Sequence, residues 1–339
     1  MNSFGRMFRI HIYGESHGHA VGVVIDGCPP GLAFAPADCR VDLGRRAPGR
    51  PGTTARREPD IPEIQSGIFQ GRTTGTPIAV RIENANVRSA DYDDLRDIPR
   101  PGHADFAARV KSRGFNDPRG GGMFSGRLTA GLVVAGVLAK KIIAPLSVAA
   151  RLSEAGGRRD VEAEAARAAA ENDSCGGIVE CRAEGVPAGL GEPFFDSLES
   201  LLGHMIFSIP GVKGLEFGAG FAAARMRGSA FNDTPIDARG ATATNHAGGV
   251  AGGITTGNLL EFRAAIRPAA SIGRPQKAWN IRTGKPCVLR VTGRHDACFA
   301  LRVPAVIEAA TAIVLADLLL LNAARNGRAD SPAPPRRQP

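Results

Sequence analysis

Two stretches of the chain are apolar around nearly the whole circumference of a helix. Residues 128–143 are one, with Gly131 and Gly136 inside, Lys140 and Lys141 near the C-terminal end and Pro145 just beyond. The cations suit the negative end of a helix dipole, and proline ends the run. Residues 302–321 are the other, carrying Glu308 and Asp317. A helix apolar all round belongs in an interior, and two acids argue for a protein core over a bilayer. Around these helices, residues 7–13, 20–25, 64–69, 78–82, 147–153, 177–183, 212–217 and 259–267 read as strands. Residues 195–209 read as a helix, and the charged, alanine-rich residues 154–173 have short helical potential. The strands come as neighbouring pairs joined by glycine-rich turns, not as strict βαβ units. That predicts an α+β fold of antiparallel sheets with helices packed between them. No fixed-period repeat is present. Each half ends a Gly/Arg motif with a long buried helix, a hint of pseudo-symmetry.

The chemistry concentrates between residues 100 and 127. This stretch holds one histidine, two acids, one lysine and five arginines, and runs through Gly120, Gly121 and Gly122 into Ser125 and the first long helix. Glycines let backbone N–H groups approach an anion, and a helix N-terminus offers free N–H groups. Ser125 is a candidate N-cap. Arg119 and Arg127 flank the loop and can fork onto phosphate or carboxylate. His103 is the only histidine in this stretch, and histidine is the side chain whose ordinary range lies near neutral pH. The glycines alone are equally those of a plain turn; with His103 and the arginines they read as an anion platform beside a proton-transfer group. Upstream, residues 42–60 form a basic, proline- and glycine-rich segment with five arginines and no periodicity of its own, a loop of the kind that is either functional or disordered. Residues 84–97 are polar and expected at the surface.

Composition adds constraints. The 339 residues are 43% hydrophobic but only 5% aromatic, with Trp279 the single tryptophan and 43 glycines, so close backbone packing is expected. With 42 basic and 33 acidic residues the net charge is +9, and six lysines leave 36 arginines. Arginine favours acidic partners that accept two parallel hydrogen bonds; drift toward Arg, Ala and Gly explains most of the count but not the clusters. No basic run interleaved with aromatics points to nucleic acid. The six cysteines form no C-x-x-C pair, so neither zinc nor a disulfide framework is expected. Arg6, Arg9 and His11 interrupt any signal peptide, which makes reduced thiols in a cytoplasmic protein the simplest reading. Residues 326–339, ending in a Pro/Arg-rich segment, are expected to be a disordered tail after one domain spanning 1–325.

The first strand feeds Gly14-Glu15-Ser16-His17-Gly18, a formal match to the G-x-S-x-G elbow of serine hydrolases. An elbow needs several strands before it and a helix after it; here only one strand precedes, and residues 20–25 read as another. The pentapeptide instead resembles the chorismate synthase family. So do RPGHAD at 100–105, RGGGMFSGR at 119–127, NHAGG at 245–249 with GGI at 252–254, RPAASI at 267–272 and GRHD at 293–296. In order, these cover nearly the whole chain.

The resemblance implies a β-α-β sandwich, with two mainly antiparallel sheets around a central layer of helices. It implies a lyase that forms chorismate from 5-enolpyruvylshikimate 3-phosphate by 1,4-elimination of phosphate, dependent on reduced FMN (FMNH2). It further implies a cytoplasmic homotetramer served by an external flavin reductase, without membrane or nucleic-acid partners. In site terms, His17 is the candidate acid for the leaving phosphate, His103 the residue that sets flavin protonation, and Asp296 the residue that helps take a proton through the flavin. Substrate contacts fall to Ser16, Arg46, Arg50, Arg100, Ser125, Arg127 and Arg294. Flavin contacts fall to His103, Met123, Phe124, Ser125, Asn245, Gly252, Arg267, Ala270, Ser271 and Arg294. The chain departs from the family pattern at Met123-Phe124, where many members have Arg-Ser, at Arg267 in place of lysine, and in a short region after Glu154.

Overall fold

The structure is a computed structural model that describes residues 2–54, 58–85, 94–291 and 295–326. In chain order the first half holds β1 (Ser3–Phe4), β2 (Arg9–Gly14), β3 (Ala20–Asp26), α1 (Arg40–Arg46), β4 (Pro62–Ile64), β5 (Ile68–Phe69), β6 (Arg72–Thr73), β7 (Ile78–Glu83), α2 (Asp105–Lys111) and α3 (Thr129–Ile143). The second half holds β8 (Ser147–Ala155), α4 (Val161–Ala170), β9 (Gly177–Glu184), α5 (Leu198–Ile206), β10 (Val212–Phe217), α6 (Gly228–Phe231), β11 (Val250–Ala251), β12 (Ile254–Thr255), β13 (Leu260–Ile266), β14 (Gln276–Asn280), β15 (Lys285–Leu289) and α7 (Val303–Asn326). One sheet has the order β1-β2-β3-β7-β4 and the other β10-β13-β9-β8, and every ladder in both is antiparallel. Helix α3 lies on the first sheet through β2, β3 and β7, α7 lies on the second through β8 and β9, and the two helices pack on each other. The result is the sheet–helix–sheet sandwich anticipated from the pattern.

The glycines inside the long helix have a packing reason. A Cβ built on Gly136 lands 2.3 Å from the Cβ of Ala309, so a larger residue would push α3 and α7 apart. Both helices bury residues from nearly every face. Helix α7 is long and apolar enough to cross a membrane, yet most of its apolar stretch is covered by the protein itself.

Its two acids clasp the layers together. Asp317 Oδ1 accepts the backbone N–H groups of Arg6, Met7 and Phe8 at 2.9, 2.6 and 2.9 Å, tying the bend between β1 and β2 to the helix. Glu308 accepts both arms of Arg45 at 2.6 and 2.7 Å, the Ala150 N–H at 2.8 Å and Lys140 at 3.1 Å. It thereby joins α1, α3 and β8 to α7. All six cysteines are free thiols, and burial pushes those of Cys39, Cys181 and Cys298 up to about 12.

Several local expectations change. Residues 40–46 are helical, because Arg45 reaches Glu308 and Arg46 reaches Asp60, contacts that no local pattern encodes. The expected helix over 195–209 starts only at Leu198, because Phe194 has φ 66° and the Ser197 side chain caps Ser200 N. Asn84 is buried, not exposed, and donates to the carbonyls of Glu15 and Gly18 at 2.9 and 2.8 Å. The hairpin β14–β15, which carries Trp279, has no counterpart in the sequence reading. The tail expected from 326 lies, past Asn326, outside the described residues.

Candidate active site

A cavity of about 270 Å³ opens where the two halves meet, at the N-terminal ends of both long helices: Thr129 of α3 and Val303 and Val306 of α7 line it. Helix N-termini bring positive partial charge. Five arginines share the lining (Arg46, Arg100, Arg127, Arg267 and Arg302), against the carboxylates of Glu58 and Asp296.

The loop between β2 and β3 supplies Ser16 and His17, which are 2% and 5% exposed. The Ser16 N–H donates to the Gly122 carbonyl at 3.1 Å, and its hydroxyl donates to the Arg119 carbonyl at 3.3 Å. Its proton is thus directed at a backbone carbonyl, and the following element is a strand, which removes the hydrolase reading. Gly120 has φ 67°, and a Cβ there would lie 2.5 Å from His17 Cδ2 and 2.7 Å from Ser16 Oγ. Only glycine lets this turn pass directly beside the histidine.

Two of the arginines are pinned from behind. Asp60 holds Arg46 Nη2 at 2.6 Å and also pairs with Arg127. Burial pushes the Asp60 carboxyl up, but the two guanidiniums outweigh it and hold it below its ordinary value. Arg127 further donates to Asn84 Oδ1 at 2.8 Å, the Glu83 carbonyl at 3.0 Å and Glu58 at 2.7 Å. Arg46 donates to Gly126 and Thr129, while its buried Nε has no hydrogen-bond partner among the described residues. Burial pushes the Arg46 guanidinium down despite Asp60, so an anion there gains a desolvated donor.

Across the cavity Arg100 grips Asp105 and donates to Ser271 Oγ at 3.0 Å. Arg267 bonds only the Pro268 carbonyl, at 3.1 Å, and has no carboxylate partner among the described residues. Burial, then the neighbouring Arg100, push its guanidinium down; both effects are relieved by an anion. Asp296 accepts the Thr54 N–H at 2.8 Å and Arg302 at 3.1 Å, and Arg302 Nε donates to the Arg46 carbonyl at 2.8 Å.

The cavity therefore brings together Ser16, His17, Arg46, Arg100, His103, Phe124, Ser125, Arg127, Arg267, Ala270, Ser271 and Asp296. Ser125 caps the turn before α3 by accepting Arg127 N. Four expected residues are elsewhere. Arg50 is exposed and outside the lining. Met123 packs against the core and only its neighbour Phe124 reaches the cavity. Asn245 donates to the Leu259 carbonyl and Glu261 and lines a separate cavity of about 340 Å³. Gly252 is exposed in the turn between β11 and β12. Arg119 turns outward to Asp117, 2.7 Å away, so it does not fork into the site. Arg294 lies outside the described residues. Arg302, Thr54, Glu58 and Asp60 were not singled out in the sequence. Glu58 and Asp60 close a segment with five arginines, and that charge imbalance was the available signal.

The family model described as chorismate synthase matches residues 8–320. The chain belongs to the chorismate synthase family. The chorismate synthase of Chitinophaga pinensis is 57% identical over 327 residues, covering 96% of this chain and 98% of the relative. That of Syntrophobacter fumaroxidans is 48% identical, covering 94% and 97%. A crystal structure of chorismate synthase superposes with a TM-score of 0.71 at 25% identity, covering 94% of this chain and 93% of that one. Membership makes the chain a chorismate synthase-type lyase of the last shikimate-pathway step.

Proposed function

We propose that this chain forms chorismate from 5-enolpyruvylshikimate 3-phosphate within the arginine-lined cavity, with reduced FMN held beside the substrate. The observation that carries the reading is the charge arrangement: five guanidiniums and two helix N-termini face one cavity that also presents His17, His103 and Asp296. A substrate with one phosphate and two carboxylates matches that set. Among the described residues, the buried Nε of Arg46 and the guanidinium of Arg267, which has no carboxylate partner, are donors open to anions. FMN, itself a phosphate ester with a flat ring, suits the wall formed by Phe124, Arg267, Ala270 and Ser271.

In this reading Arg46, Arg267 and Arg302 bind the anionic groups, while Asp60 and Glu58 keep the paired arginines in fixed positions. His17 holds a proton toward the leaving phosphate as the C–O bond breaks. Asp296, oriented by Thr54 and Arg302, accepts the ring proton, so substrate yields chorismate and phosphate with no net oxidation. Reduced FMN, which Phe124, Arg267, Ala270 and Ser271 would hold, would supply electron density beside the breaking bond. His103 sets the protonation beside that group. The chain acts as one domain over 1–325 in a cytoplasmic homotetramer, takes reduced flavin from a separate reductase, and has no membrane or nucleic-acid partner. Support comes from the covered helix α7 and from exposed Phe195 and Phe221, 91% and 81% accessible, which are apolar surface for subunit contact.

The shared cavity has a direct consequence. Oxidised FMN is expected to bind at least several-fold more tightly when substrate is present. Calorimetric titration with and without substrate measures this; equal affinities contradict a common pocket.

A further inference from the structure

Asp105, which no site assignment above includes, lies behind His103. His103 Nδ1 is 2.5 Å from Asp105 Oδ1. Arg100 holds the same carboxylate through Nε at 2.8 Å and its backbone N–H at 3.0 Å on Oδ2, and through Nη2 at 2.8 Å on Oδ1. Burial pushes the Asp105 carboxyl up, but Arg100 and His103 outweigh it and hold it far below its ordinary value. An ionised carboxylate only accepts hydrogen bonds. Arg100 Nη2, only a donor, also sits 3.1 Å from His103 Nδ1 and by itself would favour a lone pair there, but the Asp105 oxygen is the closer partner at 2.5 Å and dominates. A lone pair on Nδ1 would face the Asp105 oxygen, electron pair against electron pair, at 2.5 Å. The proton therefore belongs on Nδ1. The opposite edge of the ring faces Gly121, where an added Cβ would lie 3.4 Å from Cε1 and 3.5 Å from Nε2. That edge, not the Nδ1 edge, is left for the cavity.

We propose that Asp105 is a positioning residue: it holds neutral His103 as the Nδ1–H tautomer, so that Nε2 is the atom that exchanges protons in the cavity. Arg100 completes the device by keeping Asp105 ionised. The R-P-G-H-A-D segment is thus one unit, in which Arg100 fixes the acid, Asp105 fixes the ring and Gly102 allows the turn between them. The proposal rests on the role given to His103 above, but the tautomer can be read without ligand or turnover.

The test is a ¹H–¹⁵N two-bond correlation spectrum of the unliganded protein labelled at histidine, recorded where His103 is neutral. The wild type is expected to show the pyrrole-type nitrogen at Nδ1. Asp105→Asn offers an amide N–H to the ring and is expected to move the proton to Nε2, with turnover ~10²–10⁴-fold lower, the range seen when a histidine is held in the wrong tautomer. Its melting temperature is expected to fall, because buried Arg100 loses its carboxylate partner, so the tautomer and not stability is the readout. Asp105→Glu is expected to restore Nδ1–H and part of the turnover. An Nε2–H ring in the wild type, or an Nδ1–H ring that survives in Asp105→Asn, overturns the proposal. Should Asp105→Asn fail to fold, the wild-type spectrum alone decides. Loss of chorismate formation in wild type would remove the proposed reaction without touching the tautomer.

Discussion

Replacing His17 by alanine is expected to lower turnover by ~10²–10⁴-fold, the usual contribution of a positioned acid or base. Breaking a C–O bond to phosphate leaves charge on the departing oxygen, and His17 is the titratable group that the β2–β3 loop aims into the cavity. The loop is also held by contacts other than the imidazole. Ser16 N–H is tied to Gly122, and Asn84 is tied to Glu15 and Gly18. The alanine variant is therefore expected to fold, with a stability loss of about 1 kcal/mol and a melting temperature within ~4 °C of wild type. Substrate affinity is expected to fall little, because the arginines remain. Absorbance-monitored turnover, a thermal melt and a substrate titration on one preparation separate the cases. Wild-type turnover would remove His17 from the mechanism, and a large drop in melting temperature would make it a structural residue.

Glu308→Gln is expected to cost about 2–3 kcal/mol at pH 7. Breaking a buried ion pair from one side costs about 3–5 kcal/mol. Here the side chains of Arg45 and Lys140 keep 35% and 27% of their exposure, so solvent screens part of the loss. Glutamine cannot accept from Arg45, Lys140 and Ala150 N–H together without turning an amide N–H toward one of them. The pH dependence carries a sign. Burial pushes the Glu308 carboxyl up, but the Arg45 fork, the Ala150 N–H and Lys140 outweigh it and hold it below its ordinary value. Its contribution is therefore complete above the unfolded value of ~4.3 and is lost as pH falls through the folded one. The gap between wild type and variant should be full at pH 7 and narrow below pH ~4. Urea unfolding at several pH values checks this; a gap that widens in acid contradicts it.

The same glutamate shows what the sequence could and could not tell. Within residues 302–321, Glu308 and Asp317 marked a protein interior, which holds, but their partners lie in α1, α3, β8 and the bend between β1 and β2. Long-range pairing is invisible to local periodicity. The long helices and the antiparallel pairs were legible because burial on all faces, or on alternate faces, prints directly into the apolar pattern. Helix α1 was not, since of its residues only Leu43 and Arg46 are buried and its anchors are ion pairs. In the site, the histidines stood out through their motifs. Arg302 did not, because it reads as the first residue of an apolar helix. Asp296 accepts from Thr54 N–H, which the fold brings from far along the chain, and from Arg302, six residues on. Asn245 and Gly252 followed the family motif, yet their loop builds a cavity of its own.

The most direct measurement is anaerobic: purified protein, reduced FMN and 5-enolpyruvylshikimate 3-phosphate, followed by absorbance for chorismate and by assay for free phosphate. Chorismate and phosphate should appear in equal amounts, over many turnovers per flavin, with the flavin still reduced at the end. A folded, flavin-binding protein that releases no chorismate, or that consumes one reduced flavin per product, would contradict the account.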